Sequence, residues 1–188
     1  MEDPFAVREL RIRQPARVLP GRARYDFFDP GRKLVAVAVE TEPRSALQAM
    51  AALVPRTRVL GVRSASGEPV LTLVKRDNDW IADVTDPAGD LVGHIQIGET
   101  RRHYALLDEA GQPAGQAVGD LAVKQFAITG PEGERYARLR KTWAGFGKEL
   151  LTASDHYTVT FTGPVPPRVR LLVVMVPLVL DMTRHGPY

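Results

Sequence analysis

Arginine carries most of the chemistry this chain can offer. Arg8, Arg11, Arg13, Arg17, Arg22 and Arg24 crowd the N-terminal portion, relieved by Glu9 and Asp26, and a second basic group joins Arg138, Arg140 and Lys141 near Lys148. A guanidinium presents a planar fork of donors that suits phosphate. Each basic side chain held near an anionic membrane adds about 1 kcal/mol of attraction. The candidate phosphate- or lipid-binding residues are therefore Arg11, Arg13, Arg17, Arg22, Arg24, Arg138, Arg140 and Lys141. A plainer reading competes with this one: charged outward faces of edge strands discourage aggregation without binding anything. Arginine is spread along the whole chain and the formal net charge is only +3, so composition leaves both readings open.

Other chemistries find no footing. The chain has no cysteine, which excludes disulfides, thiolate catalysis, zinc–thiolate sites and palmitoylation. Gly145-Phe-Gly-Lys-Glu149 has the wrong residues at both ends of a phosphate loop and is expected to be a turn. Asp77-Asn78-Asp79 lacks the later ligands and the glycine of a calcium loop. The histidines His94, His103, His156 and His185 show no metal-ligand spacing, and no serine lies in a Gly-x-Ser-x-Gly elbow. Trp80 and Trp143 are expected to be core or rim anchors, with Trp143 the one packed against the apolar C-terminal run Val169–Met182. No cofactor, metal, catalytic group or nucleic-acid partner is expected. A pI near 9.4 suits anionic partners in general without pointing to nucleic acid.

The elements that must hold these arginines are short strands. Leu10–Gln14, Arg24–Phe28, Lys33–Glu40, Arg58–Arg63, Pro69–Lys75, Asp79–Thr85, Leu91–Ile97, His103–Asp108, Ala114–Val118, Gln125–Thr129, Glu134–Arg140 and His156–Thr162 alternate or are β-rich. Gly- and Pro-bearing turns separate them at the spacing of an all-β barrel or sandwich, and tight turns imply an antiparallel meander. Glu42–Pro55 breaks the rhythm with strong helix formers and predicts one inserted surface helix.

Val169–Met182 is different again. From Leu171 to Leu180 every side chain is apolar, with Pro177 inside the run. A helix apolar on all sides must be enclosed, and crossing lipid takes roughly 20 such residues, so enclosure by protein is the expectation. Pro177 predicts a kink or an end to regular hydrogen bonding. A closed sheet of about twelve strands is wider than side chains alone can fill, so the apolar helix becomes its plug. The expected organisation is a tail over residues 1–8, one barrel domain over 9–183 and a tail over 184–188. Composition fits a soluble globular protein, at 44% hydrophobic and 25% charged. The acidic start Met-Glu-Asp-Pro-Phe has no hydrophobic signal core, so a cytoplasmic location is expected.

Several segments, in order, resemble the phospholipid scramblase and LURP-one-related family, which shares the tubby-like C-terminal domain. They are Ile12-Arg13-Gln14, Tyr25–Asp29 with Gly31, Val70–Leu73, Leu91–Ile95, Lys141–Gly145, Glu149–Tyr157 and the apolar helix with Asp181 near its end. The resemblance implies an all-β fold with a central helix: a closed antiparallel twelve-stranded barrel around its own C-terminal segment. It also implies a non-enzymatic protein that binds anionic phospholipid headgroups, phosphoinositide-like, or a protein partner, from the inner membrane face. Two alternatives stay open, a calcium-dependent scramblase and a soluble carrier of a small ligand at the barrel mouth. Against the first, the segment that is acidic in scramblases holds only Asp155 here, whereas calcium takes about six to eight oxygen ligands. The proline-rich arm and the cysteine cluster of scramblases are also missing. A plug cannot span a bilayer without dismantling the core, so no transmembrane span is expected.

Overall fold

The computed structural model describes residues 4–15, 23–41, 57–76, 79–143 and 155–184. Alternating and β-branched runs become twelve strands. They are β1 (Glu9–Arg13), β2 (Arg24–Phe28), β3 (Leu34–Glu40), β4 (Thr57–Ser64), β5 (Pro69–Arg76) and β6 (Ile81–Thr85). The second half is β7 (Leu91–Ile97), β8 (His103–Leu107), β9 (Pro113–Gly119), β10 (Gln125–Thr129), β11 (Arg135–Trp143) and β12 (Asp155–Phe161). Each pairs antiparallel with its neighbours in sequence, and β1 pairs with β12 to close the barrel. The expected helix over Glu42–Pro55 lies outside the described residues.

Period-two alternation sorts the side chains. Leu10 and Ile12 of β1, Tyr25 and Phe27 of β2, and Leu60 and Val62 of β4 point inward and are fully or almost fully buried. Closure leaves no free edge, but it also leaves a lumen. Helix α1 (Pro167–Arg184) fills it, with Leu172 through Met182 buried. Pro177 lies inside α1 and does not end it. The missing N–H withholds a bond from the Val173 carbonyl and costs about 3 kcal/mol. Burying nine large apolar side chains of this segment is worth on the order of 20 kcal/mol, so packing wins. The helix lies closest to β7, where Gly93 makes room. A Cβ at Gly93 would stand 2.3 Å from the Leu107 carbonyl oxygen and 3.0 Å from Leu172 Cδ1.

The two ends of the barrel differ. At one end, Asp29, Asp86 and Asp108 fold tight turns by accepting backbone N–H groups two to four residues ahead, from Lys33, Asp90 and Gln112 among others. The start of α1 is here, where Arg170 Nε donates to the Phe5 carbonyl at 2.8 Å and its guanidinium also donates to Val7. Phe5 is fully buried, its ring 5.6 Å from Phe27. So the described part of the N-terminal segment packs on the barrel. The other end carries the β1–β2, β3–β4, β5–β6, β7–β8, β9–β10 and β11–β12 connections and the C-terminal turn of α1. We call it the long-loop end.

Candidate basic face and buried network

Register brings the two basic groups of the sequence together. On β12, Thr158 pairs with Arg11 of β1 on one side and Arg140 of β11 on the other; Thr160 lies in the same way between Glu9 and Arg138. His156 lies between Arg13 and Thr142, and Arg13 faces Asp26 across β2. Strands are about 4.8 Å apart, so the Arg11 and Arg140 backbones are about 10 Å from each other. Arg11, Arg13, Arg24, Arg138 and Arg140 all point outward and are exposed. Glu9 accepts from Arg11 Nε at 2.9 Å and Asp26 from Arg24 Nε at 2.7 Å. Among the described residues, the paired outward positions named here on β2–β1–β12–β11 therefore carry five arginines against two carboxylates.

Lys141 is not part of it. One residue beyond Arg140, it has the opposite parity, is buried, and its Nζ sits 5.2 Å from the Tyr157 ring centroid. Arg17 and Arg22 lie outside the described residues. Trp80 stands half exposed at the long-loop rim rather than in the core; the Trp143 side chain lies outside the described residues. His94 shares a 2.8 Å contact with Asp83, and His103 a 3.0 Å contact with Gln116, both between neighbouring strands. Among the described residues, no three His, Cys, Asp or Glu side chains gather as a metal site.

Sequence inspection missed the polar network inside the barrel. Tyr25 donates its hydroxyl to Asp181 Oδ2 at 2.5 Å, and Gln14 Nε2 donates to the same oxygen at 3.1 Å. Beside it, Arg58 Nε donates to Glu40 Oε1 at 3.0 Å while Ala23 N–H donates to Oε2 at 3.1 Å. Burial pushes the Arg58 guanidinium down, but the Glu40 hydrogen bond and the nearby Tyr25, Glu40 and Asp181 together carry it above its ordinary value. Gln14, Tyr25, Glu40 and Arg58 all have inward parity on β1 to β4 or just beyond, which is the one signal that a sequence reader could have used. The network ties the C-terminal turn of α1 to the strands under the basic face. At the opposite end, a cleft of about 760 Å³ opens between the N-terminal segment, β3 to β5 and Leu171 of α1.

A closed antiparallel twelve-stranded barrel around one C-terminal helix is the tubby-like fold. The Scramblase family model matches residues 23–185, and the chain belongs to that family. A structure of an Arabidopsis thaliana protein, determined by X-ray diffraction, is similar over 97% of both chains, with a TM-score of 0.56 and 14% identity. At that identity the likeness shows the fold alone. No curated protein gives a significant match. Family membership supports a lipid-related role in general, and the Scramblase family is generally non-enzymatic. No described helix is long and apolar enough to cross a membrane.

Proposed function

We propose that the protein binds anionic phospholipid headgroups through the outward face of β2–β1–β12–β11, as a peripheral protein of the inner membrane surface that catalyses no covalent step. The observation that carries this reading is the flanking of Thr158 by Arg11 and Arg140. Two guanidinium forks about 10 Å apart at the backbone can meet over one phosphate or grip adjacent headgroups. Arg13 and Arg138 extend the same field along the strands. The excess of three positive charges corresponds to about 3 kcal/mol of attraction, which is weak, reversible and screened by salt beyond about 8 Å.

The test is flotation with phosphatidylcholine vesicles, alone, with phosphatidylserine, or with a phosphoinositide. Binding is expected only where anionic lipid is present. Arg11→Glu with Arg140→Glu is expected to lower it more than tenfold, because reversal turns attraction into repulsion. Unchanged flotation of a folded double variant would overturn the reading. A second reading, a carrier of a small apolar ligand, is favoured by the 760 Å³ cleft, which has the size of a ligand pocket. Co-purification of an extractable lipid or fatty acid, lost on Leu171→Trp, would support it.

A further inference from the structure

We infer that the rim formed by the start of β6 and the β9–β10 connection is a membrane-insertion surface: Trp80 and Leu121 seat at the headgroup–acyl boundary of an anionic phospholipid bilayer while the basic face holds the headgroups beside them. The inference rests on the headgroup reading above and adds an apolar contact and an orientation to it.

Among the described residues, the large apolar side chains left exposed are Trp80 at 50%, Ile81 at 41%, Val118 at 44% and Leu121 at 87%. Isolated exposed apolar residues are ordinary, but these four share one end. Ile81 opens β6, Trp80 precedes it, Val118 is one residue from the end of β9, and Leu121 lies in the β9–β10 connection. The Trp80 carbonyl accepts from Ile97 N–H at the end of β7, and Val118 pairs with His103 at the start of β8. Strands β6, β7, β8 and β9 are consecutive around the barrel. The two apolar prongs are therefore about three strand spacings, or roughly 14 Å, apart on one rim. The tight-turn end exposes no large apolar side chain among the described residues.

Basic groups fill the rim between and beside the prongs. The Arg102 carbonyl accepts from Gly119 N–H at 2.7 Å, which places Arg102 opposite Gly119, next to the His103–Val118 pair, and exposed Lys124 follows Leu121 in the same connection. The Lys124 carbonyl in turn accepts from Lys141 N–H on β11, next to Arg140 of the basic face. Of the described rim carboxylates named by these connections, Asp79 is held by Arg76 at 3.2 Å and Asp120 accepts the Lys124 N–H at 2.8 Å, while Glu99 is exposed. An indole and an aliphatic side chain on loops, flanked by cations, form the composition of an interfacial anchor. A protein interface centres instead on a contiguous apolar core poor in charge, and here three strand spacings separate the prongs and exposed His103 pairs with Val118. The electrostatic attraction is marginal by itself, so apolar contact is what would make residence on the membrane lasting.

The experiment uses the whole chain and phosphatidylcholine–phosphatidylserine vesicles carrying brominated acyl chains. Tryptophan emission is expected to be quenched on binding, and Trp80→Phe, compared at vesicle concentrations high enough to float it, to lack the quenched component; this assigns the signal to Trp80 and not Trp143. Leu121→Ser is expected to weaken binding about tenfold, with an unchanged melting midpoint because the side chain is solvent-exposed. Flotation of the wild type without Trp80 quenching, or wild-type affinity in Leu121→Ser, overturns the insertion and leaves the headgroup reading standing. Failure of the wild type to float on phosphatidylserine vesicles overturns both.

Discussion

Single residues show how differently this chain treats its charges. In the surface pairs Arg11–Glu9 and Arg24–Asp26 the arginine is exposed and its carboxylate partner only partly buried, so each is worth little. Arg58–Glu40 is another matter, with both side chains under one-tenth exposed. Removing one partner would leave an uncompensated charge inside the barrel, a loss of about 3–5 kcal/mol. Glu40→Gln is expected to approach that loss in urea denaturation, and Arg58→Met with Glu40→Leu to recover much of it; equal losses would mean that the pair is solvated after all. Tyr136 sets an alkaline limit. Burial pushes its phenol up, and the hydrogen bond to Glu134 with the charges of Glu134 and Glu132 takes it further, from 10 to about 12. Over that interval the unfolded chain gives up a proton that the folded one keeps. Stability is therefore intact below pH 10 and falls by about 2–3 kcal/mol as pH rises to about 12. Urea midpoints across this range are expected to fall less steeply in Tyr136→Phe; parallel slopes would refute the assignment.

At the level of elements, the strands were legible because closing a barrel demands strict alternation, and Glu9–Arg13 and Gln125–Thr129 carry it without interruption. The apolar helix was legible because nothing along it faces water. Its passage through Pro177 was not, since the local rule is outweighed by burial that only the assembled barrel supplies. Parity was the neglected signal at Lys141. Alternation alone sets Arg138 and Arg140 on one face and Lys141 on the other, yet nearness in sequence groups all three. The basic face itself was half legible. Its two halves lie more than a hundred residues apart, and only the register of β12 against both β1 and β11 brings Arg11 and Arg140 to either side of Thr158. The buried network was illegible for a related reason: a lone aspartate at the end of a greasy helix has no meaning until Tyr25 and Gln14 meet it. Gly93 shows the reverse case, where a glycine inside a strand marks the place at which another backbone and a helix side chain come close.

For the whole molecule, plug and barrel stand or fall together. Withdrawing α1 would expose nine large apolar side chains, a cost on the order of 20 kcal/mol that exceeds the roughly 5–15 kcal/mol by which domains of this kind are stable. The helix therefore has no independent exit, and a membrane role must use the outside of the closed barrel. Native-state hydrogen exchange is expected to show this directly. Amides of residues 172–176 and 178–182 should exchange only through global opening, with the same free energy and denaturant dependence as the most protected amides of β1, β7 and β12. The same measurement on vesicles should leave them protected while amides around Trp80 and Leu121 slow down. If the helix amides instead exchange through a smaller opening than the strands, the helix can leave the lumen by itself. The barrel would then be a container that opens, and its apolar segment a candidate for lipid in its own right.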